Sequence, residues 1–164
     1  MENNEFTQKL IEEIKKRGFI SEQEETEIDS DSEINLEKNS DSDFAEMISK
    51  LNTSSIQVHI FHWQVKGQGS YAAHQAFGSY YEAIPEIIDG LVESYQGKYG
   101  LIENFTCDGV KNFENIQSSV DYLADLMEMV NEKRKSVKDS YLQNQIDEVI
   151  ELITSTMYKL RFLH

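Results

Sequence analysis

From Phe44 onward, apolar residues return every three or four positions in four successive blocks, the spacing that lines one face of an α-helix. The first block runs from about Asp43, a candidate N-cap, to Val65, with Phe44, Met47, Ile48, Leu51, Ser55, Val58 and His62 in one seam. Lys66-Gly67-Gln68-Gly69 closes it. The second opens at Ser70, another candidate N-cap, and continues to about Gln96, with Gly97 and Gly100 marking its exit. Residues 97–115, rich in Gly, Asn and Asp, form a connection long enough for one extra helical turn. The third block covers about Asn115 to Lys138 through Ile116, Val120, Leu123, Leu126, Met127 and Val130. The fourth covers about Ser140 to Phe162 through Leu142, Ile146, Val149, Ile150, Ile153, Met157, Leu160 and Leu163. With a single proline, Pro85, and no alternating runs, the pattern predicts an all-α four-helix bundle over residues 43–164.

The first 42 residues read differently. Phe6, Leu10, Ile11 and Ile14 keep helical spacing up to Gly18, which predicts a short amphipathic helix over 5–17. From Ser21 to Asp43 the chain is rich in Glu, Asp, Ser and Asn, with only Ile28, Ile34 and Leu36 as apolar markers. That composition buries too little surface to offset ordering entropy, so residues 21–40 read as a disordered acidic linker. Residues 1–42 are thus expected to be an acidic N-terminal extension, whose own partner is left open.

Charge sharpens this division. The chain of 164 residues has a formal charge of −15, and residues 1–43 carry 14 acids against 5 bases. Such a balance repels phosphate backbones and favours cations, so the reading is of a protein that binds no DNA and draws in metal ions. No apolar run approaches the ~18 residues of a membrane span, and no basic-then-apolar leader opens the chain. With Cys107 as the single cysteine, the expectation is no membrane, no disulfide and a cytoplasmic setting. The Lys, Asn, Ser and Ile content suits an AT-rich bacterium or its phage.

The candidate chemistry lies around the first two blocks. His62 stands four residues before Lys66 and His74 four residues after Ser70, so an antiparallel hairpin sets both imidazoles at one height. Asp89 and Glu93, at i and i+4, point from one face of the second block. Asp89 lies ~22 Å from His74 along that helix and Glu93 further, so one chain cannot bring all four to one ion. Two copies crossing antiparallel can, with two equivalent sites per dimer. Imidazole plus carboxylate suits ferrous iron or zinc. For each group the plain alternative is a packed histidine or a solvated acidic face.

His62-Trp63-Gln64-Val65-Lys66-Gly67, followed by His74, Asp89 and Glu93, resembles the Dps-like branch of the ferritin superfamily over about residues 43–164. The resemblance implies a ferritin-like four-helix bundle and a shell of twelve subunits built from two-fold dimers. It also implies intersubunit sites where His62, His74, Asp89 and Glu93 bind ferrous iron, which is oxidised, usually with hydrogen peroxide, and stored. Trp63 resembles that family's tryptophan beside the iron centre. Gly78 stands where the family usually has a further carboxylate, so one metal per site is expected, with His59 and Glu82 the nearest replacements. Pro85 is expected to kink the second helix. The contrasting reading is a structural or interaction protein with a ferritin-like bundle and a degenerate metal site.

Overall fold

The computed structural model describes residues 30–163, with side chains from residue 41 onward. They form four helices, α1 (Ser30–Gln64), α2 (Ser70–Tyr99), α3 (Ile116–Arg134) and α4 (Ser140–Phe162), with no strand among the described residues. The chain divides into an N-terminal unit, residues 1–37, of which only residues 30–37 are described, and a second unit, residues 38–164. The helix expected at 5–17 and residues 21–29 of the expected acidic linker lie outside the described residues, whereas residues 30–40, expected to be disordered, are helical and belong to α1.

Antiparallel packing follows from which residues meet. Moving up α1, Phe44 stacks on Tyr95 with ring centroids 3.8 Å apart, Ser54 bonds Tyr80 at 2.7 Å and His62 faces His74. Numbers rise on one helix as they fall on the other. Likewise Phe61 meets Tyr122 edge-on, whereas Lys133 pairs with Asp43 and Glu46 at 2.6 Å, so α3 also opposes α1. On the far side Gln145 bonds Ser94 and Lys98 pairs with Asp139, while Arg134 grips Asp147 through two bonds. Each helix therefore opposes its two neighbours, and the diagonal pairs α1/α4 and α2/α3 are parallel. Leu51, Phe77, Ile84, Leu91, Leu123, Leu142, Ile146 and Ile153 fill the centre and are fully buried.

Because α2 and α3 are parallel, the chain between them must travel the length of the bundle. It does so as an extended strap along α1, where the extra helical turn expected in 97–115 is absent and α2 instead continues to Tyr99. Five α1 side chains hold the strap, Lys50 among them through an ion pair with Asp108. The Ser49 hydroxyl accepts from the Thr106 amide, that of Thr53 from the Asp108 amide, and Gln57 makes two bonds to the Lys111 backbone at 2.7 Å each. Gln64 accepts from the Phe113 amide and donates to Asn112. Seven extended steps from 106 to 113 cover ~23 Å, matching the ~22 Å that α1 rises between Ser49 and Gln64. The strap is laid on the helix in register, so the amides of Thr106, Asp108, Lys111 and Phe113 are bonded without a helix of their own.

Three further helix ends differ from the sequence reading. Asp43 is not an N-cap, because α1 begins at Ser30: no Gly or Pro occurs between Gly18 and Gly67 to stop it, and the Asp43 carboxylate serves Lys133 instead. The α2 cap is Gly69 at φ 75°, with Ser70 its first helical residue. Asn115 caps α3 as a capping box with Ser118, and that helix ends at Arg134. Helix α2 runs through Pro85, whose ring is exposed. Among the described residues no helix is long and apolar enough to cross a membrane.

Tyr80 ties α2 to α1 inside this core. The Ser54 hydroxyl donates to the Leu51 carbonyl, which leaves it as acceptor for the Tyr80 hydroxyl. Burial pushes the Tyr80 hydroxyl above the ordinary tyrosine range and pushes Tyr122 up to about 12. A proton held more tightly in the folded chain stabilises fully below the unfolded value near 10 and less as pH climbs past it. Thermal melts should therefore lose stability between about pH 10 and 12, and Tyr80→Phe should make that loss shallower. An unchanged alkaline slope in the variant would contradict this account of Tyr80.

Candidate metal centre

The turn joining α1 and α2 sets the geometry. Gly67 at φ 95° and Gly69 at φ 75° adopt the left-handed conformation that a side chain resists, and they reverse the chain within five residues. His62, near the end of α1, and His74, near the start of α2, come into stacking contact, with ring centroids 3.6 Å apart and planes 24° from parallel. Each Nδ1 reaches the other's backbone carbonyl, at 2.9 Å from His62 and 3.0 Å from His74. A carbonyl only accepts, so both Nδ1 atoms carry the proton. In the neutral ring this leaves the lone pair on Nε2, the tautomer that a metal ion takes. The same bonds have a structural use, since His62 supplies one of the last carbonyls of α1 and His74 satisfies it.

A Cβ built on Gly78 would sit 3.5 to 3.6 Å from the His62 ring, so the imidazole lies directly over the glycine. A Cβ there would be in ordinary contact, so alanine fits the position. The neighbouring positions are aromatic. Tyr81 stacks on His59 at 3.9 Å and meets His62 at 5.1 Å nearly edge-on, and His59 touches Trp63 at 4.2 Å. Partial desolvation, and the Glu82 carboxylate beside it, hold the Tyr81 hydroxyl above its usual range. His59 is engaged as a stacking residue. Trp63 is 68% exposed, a large apolar side chain left in water beside the pair.

Asp89 and Glu93 are exposed on α2, on a stripe shared with Glu82 and Glu86. Fifteen helical steps of ~1.5 Å separate Asp89 from His74 in the same chain. Among the described residues no group of three or more His, Cys, Asp or Glu side chains is placed to hold a metal ion. The structure brings His62 and His74 together and leaves Asp89 and Glu93 apart from them. What a single copy offers is two imidazoles with free Nε2 atoms at one end of a face and two carboxylates further along it. Imidazole nitrogen and carboxylate oxygen are donor types that ferrous iron and zinc accept.

Some contributors have no clear mark in the sequence. Tyr81 is one of several tyrosines on α2, and only the fold shows that its ring supports His59 and His62. The strap was hidden too, although Ser49, Thr53 and Gln57 form a polar row at four-residue spacing that a solvent-facing helix has no need to bury; Ser49 and Thr53 are 4% and 7% exposed. Cys107 is exposed on the strap and lies apart from the histidines in sequence and contact.

Among the described residues, fold and site together define an all-α arrangement of four helices with a paired-imidazole edge. Residues 62–160 match the model of DUF5856, described as a family of unknown function, and the chain belongs to that family. The matched stretch begins at His62 and takes in His74, Asp89 and Glu93. No curated protein and no solved structure matches the chain.

Proposed function

We propose that this protein is a Dps-like ferroxidase that binds ferrous iron as its substrate between two copies, oxidises it and stores the product. The observation that carries this reading is the reciprocal bonding of His62 and His74, which fixes both imidazoles with Nε2 as the available nitrogen. In the proposed dimer these two nitrogens face Asp89 and Glu93 of the second copy. Two carboxylates favour the ferric over the ferrous ion, because each added unit of metal charge gains more from anionic than from neutral donors. Two ferrous ions give one electron each to peroxide, which takes up two protons and leaves as two waters. Gly78 in place of a carboxylate limits each site to one tightly held ion. Twelve copies in a closed shell, as in the family it resembles, would give the stored iron an acidic enclosure.

A second reading is favoured by the helix-end bond. His74 closes the last turn of α1, so the histidine pair is accounted for as a clasp between the first two helices of an interaction bundle without metal chemistry. Native mass spectrometry with anaerobic ferrous iron separates the two. The ferroxidase reading predicts even-numbered assemblies that take up about one iron per chain and consume added peroxide as the iron is oxidised. A monomer that takes up no iron would leave the clasp.

A further inference from the structure

Trp63 and a hollow near Pro85 lie on the same open stripe of the molecule. Between Leu51 and Trp63 of α1 the exposed residues are Asn52, Ile56 and Trp63, which with the half-buried His59 form one row spaced at three or four residues along one face. At the top of this row the Trp63 indole stands 68% exposed, with His59 against it and Ile56 half exposed one step below. Toward the bottom, a hollow of about 220 Å³ opens beside Asn52, lined by the apolar Ile48, Ile88, Val92 and Phe105, with Asp89 as its charged member. That volume is below the ~300 Å³ at which small-molecule pockets begin, and it suits one large side chain. Knob and hole on one face are what a two-fold interface requires, because each copy must present both.

We infer that the hollow is the receptor for Trp63 of a second copy, and that this tryptophan is the anchor of the dimer. The inference rests on the shared-site reading, which sets the register. If His74 of one copy faces the space between Asp89 and Glu93 of the other, residues near the middle of α2 face themselves. Trp63 adjoins His62, which stacks on His74, so it is level with Ala73 and faces the second copy near Val92. The hollow spans Pro85 to Val92, within about 5 Å along the helix and within reach of an indole. Charge agrees with this direction at the two ends of the contact, where Lys66 and three histidines approach the acidic Asp89 and Glu93. Glu82 at the centre meets its own copy, whereas a parallel arrangement would set the whole acidic stripe against itself. The apolar walls take the ring, and Asp89 and Asn52 offer acceptors to the indole N–H.

The chain holds a single tryptophan, so its own fluorescence reports the contact. In a dilution series of the full chain, sedimentation and emission should change together. On association Trp63 emission moves to shorter wavelength and acrylamide quenching falls severalfold. Trp63→Ala should raise the dimer dissociation constant about thirtyfold, the ratio that corresponds to ~2 kcal/mol at a buried aromatic anchor. Asn52→Phe, which fills the hollow from an exposed position, should weaken the dimer similarly, and the double variant should be little worse than either one. If dimers form but Trp63 stays fully quenchable and Trp63→Ala leaves the dissociation constant unchanged, the anchor is wrong while the shared site stands. A chain that is monomeric at every concentration overturns both.

Discussion

His74→Ala and Glu93→Gln are each expected to lower the rate of ferrous oxidation by at least about a hundredfold, because loss of a ligand costs more than the tenfold to hundredfold seen for a ligand's outer partners. Both residues lie on α2, yet they act on opposite halves of the proposed site. His74→Ala has a second effect, since it also frees the His62 carbonyl at the end of α1, and a loss of about 1 kcal/mol in stability should accompany it. Glu93 is exposed and makes no such bond, so Glu93→Gln should leave the melting temperature near that of the parent. His59→Ala should lower oxidation by less than about tenfold, because His59 supports Tyr81 and Trp63 rather than the ion. Rates measured by the appearance of ferric iron, alongside thermal melts, separate these effects. Equal activity in all three variants would contradict the ligand assignment.

Phe77→Ala is expected to be the most destabilising of simple core truncations, at about 3–5 kcal/mol. Phe77 is fully buried, and its ring contacts Phe61 on α1 and Phe113 at the end of the strap. One side chain thus holds three segments beneath the histidine turn. Since small domains keep only about 5–15 kcal/mol in total, this change should leave the protein marginal at 37 °C. Chemical denaturation should show a lower midpoint with an unchanged slope, and a shift below about 1 kcal/mol would mean that the strap end is held by other contacts.

The four helices were legible because their apolar stripes repeat with little interruption, and Asn115 with Ser118 made the α3 start a local matter of two polar side chains. The start of α1 was less so. Asp43 looks like a cap, but a capping residue can act only where the helix stops, and nothing between Gly18 and Gly67 stops it. The pairing of His62 with His74 was readable from their equal distances to the turn, since the hairpin fixes height on both helices. Their stacking and crossed carbonyl bonds were not, because these depend on side-chain torsions that spacing does not set. Nor was the strap legible: an extended chain held by side chains of a distant helix has no periodicity of its own, and its marks are the buried Ser49, Thr53 and Gln57.

The central claim is that each site is divided between two copies, and mixing inactive variants tests it most directly. His74→Ala and Glu93→Gln chains, combined in equal amounts, dissociated and reassembled, form mixed dimers in which one site has lost both groups and the other retains all of them. Random pairing makes half the dimers mixed, so the account predicts recovery of about a quarter of the parent's ferrous oxidation from two preparations that have almost none. Recovery no greater than the average of the two variants alone would contradict it.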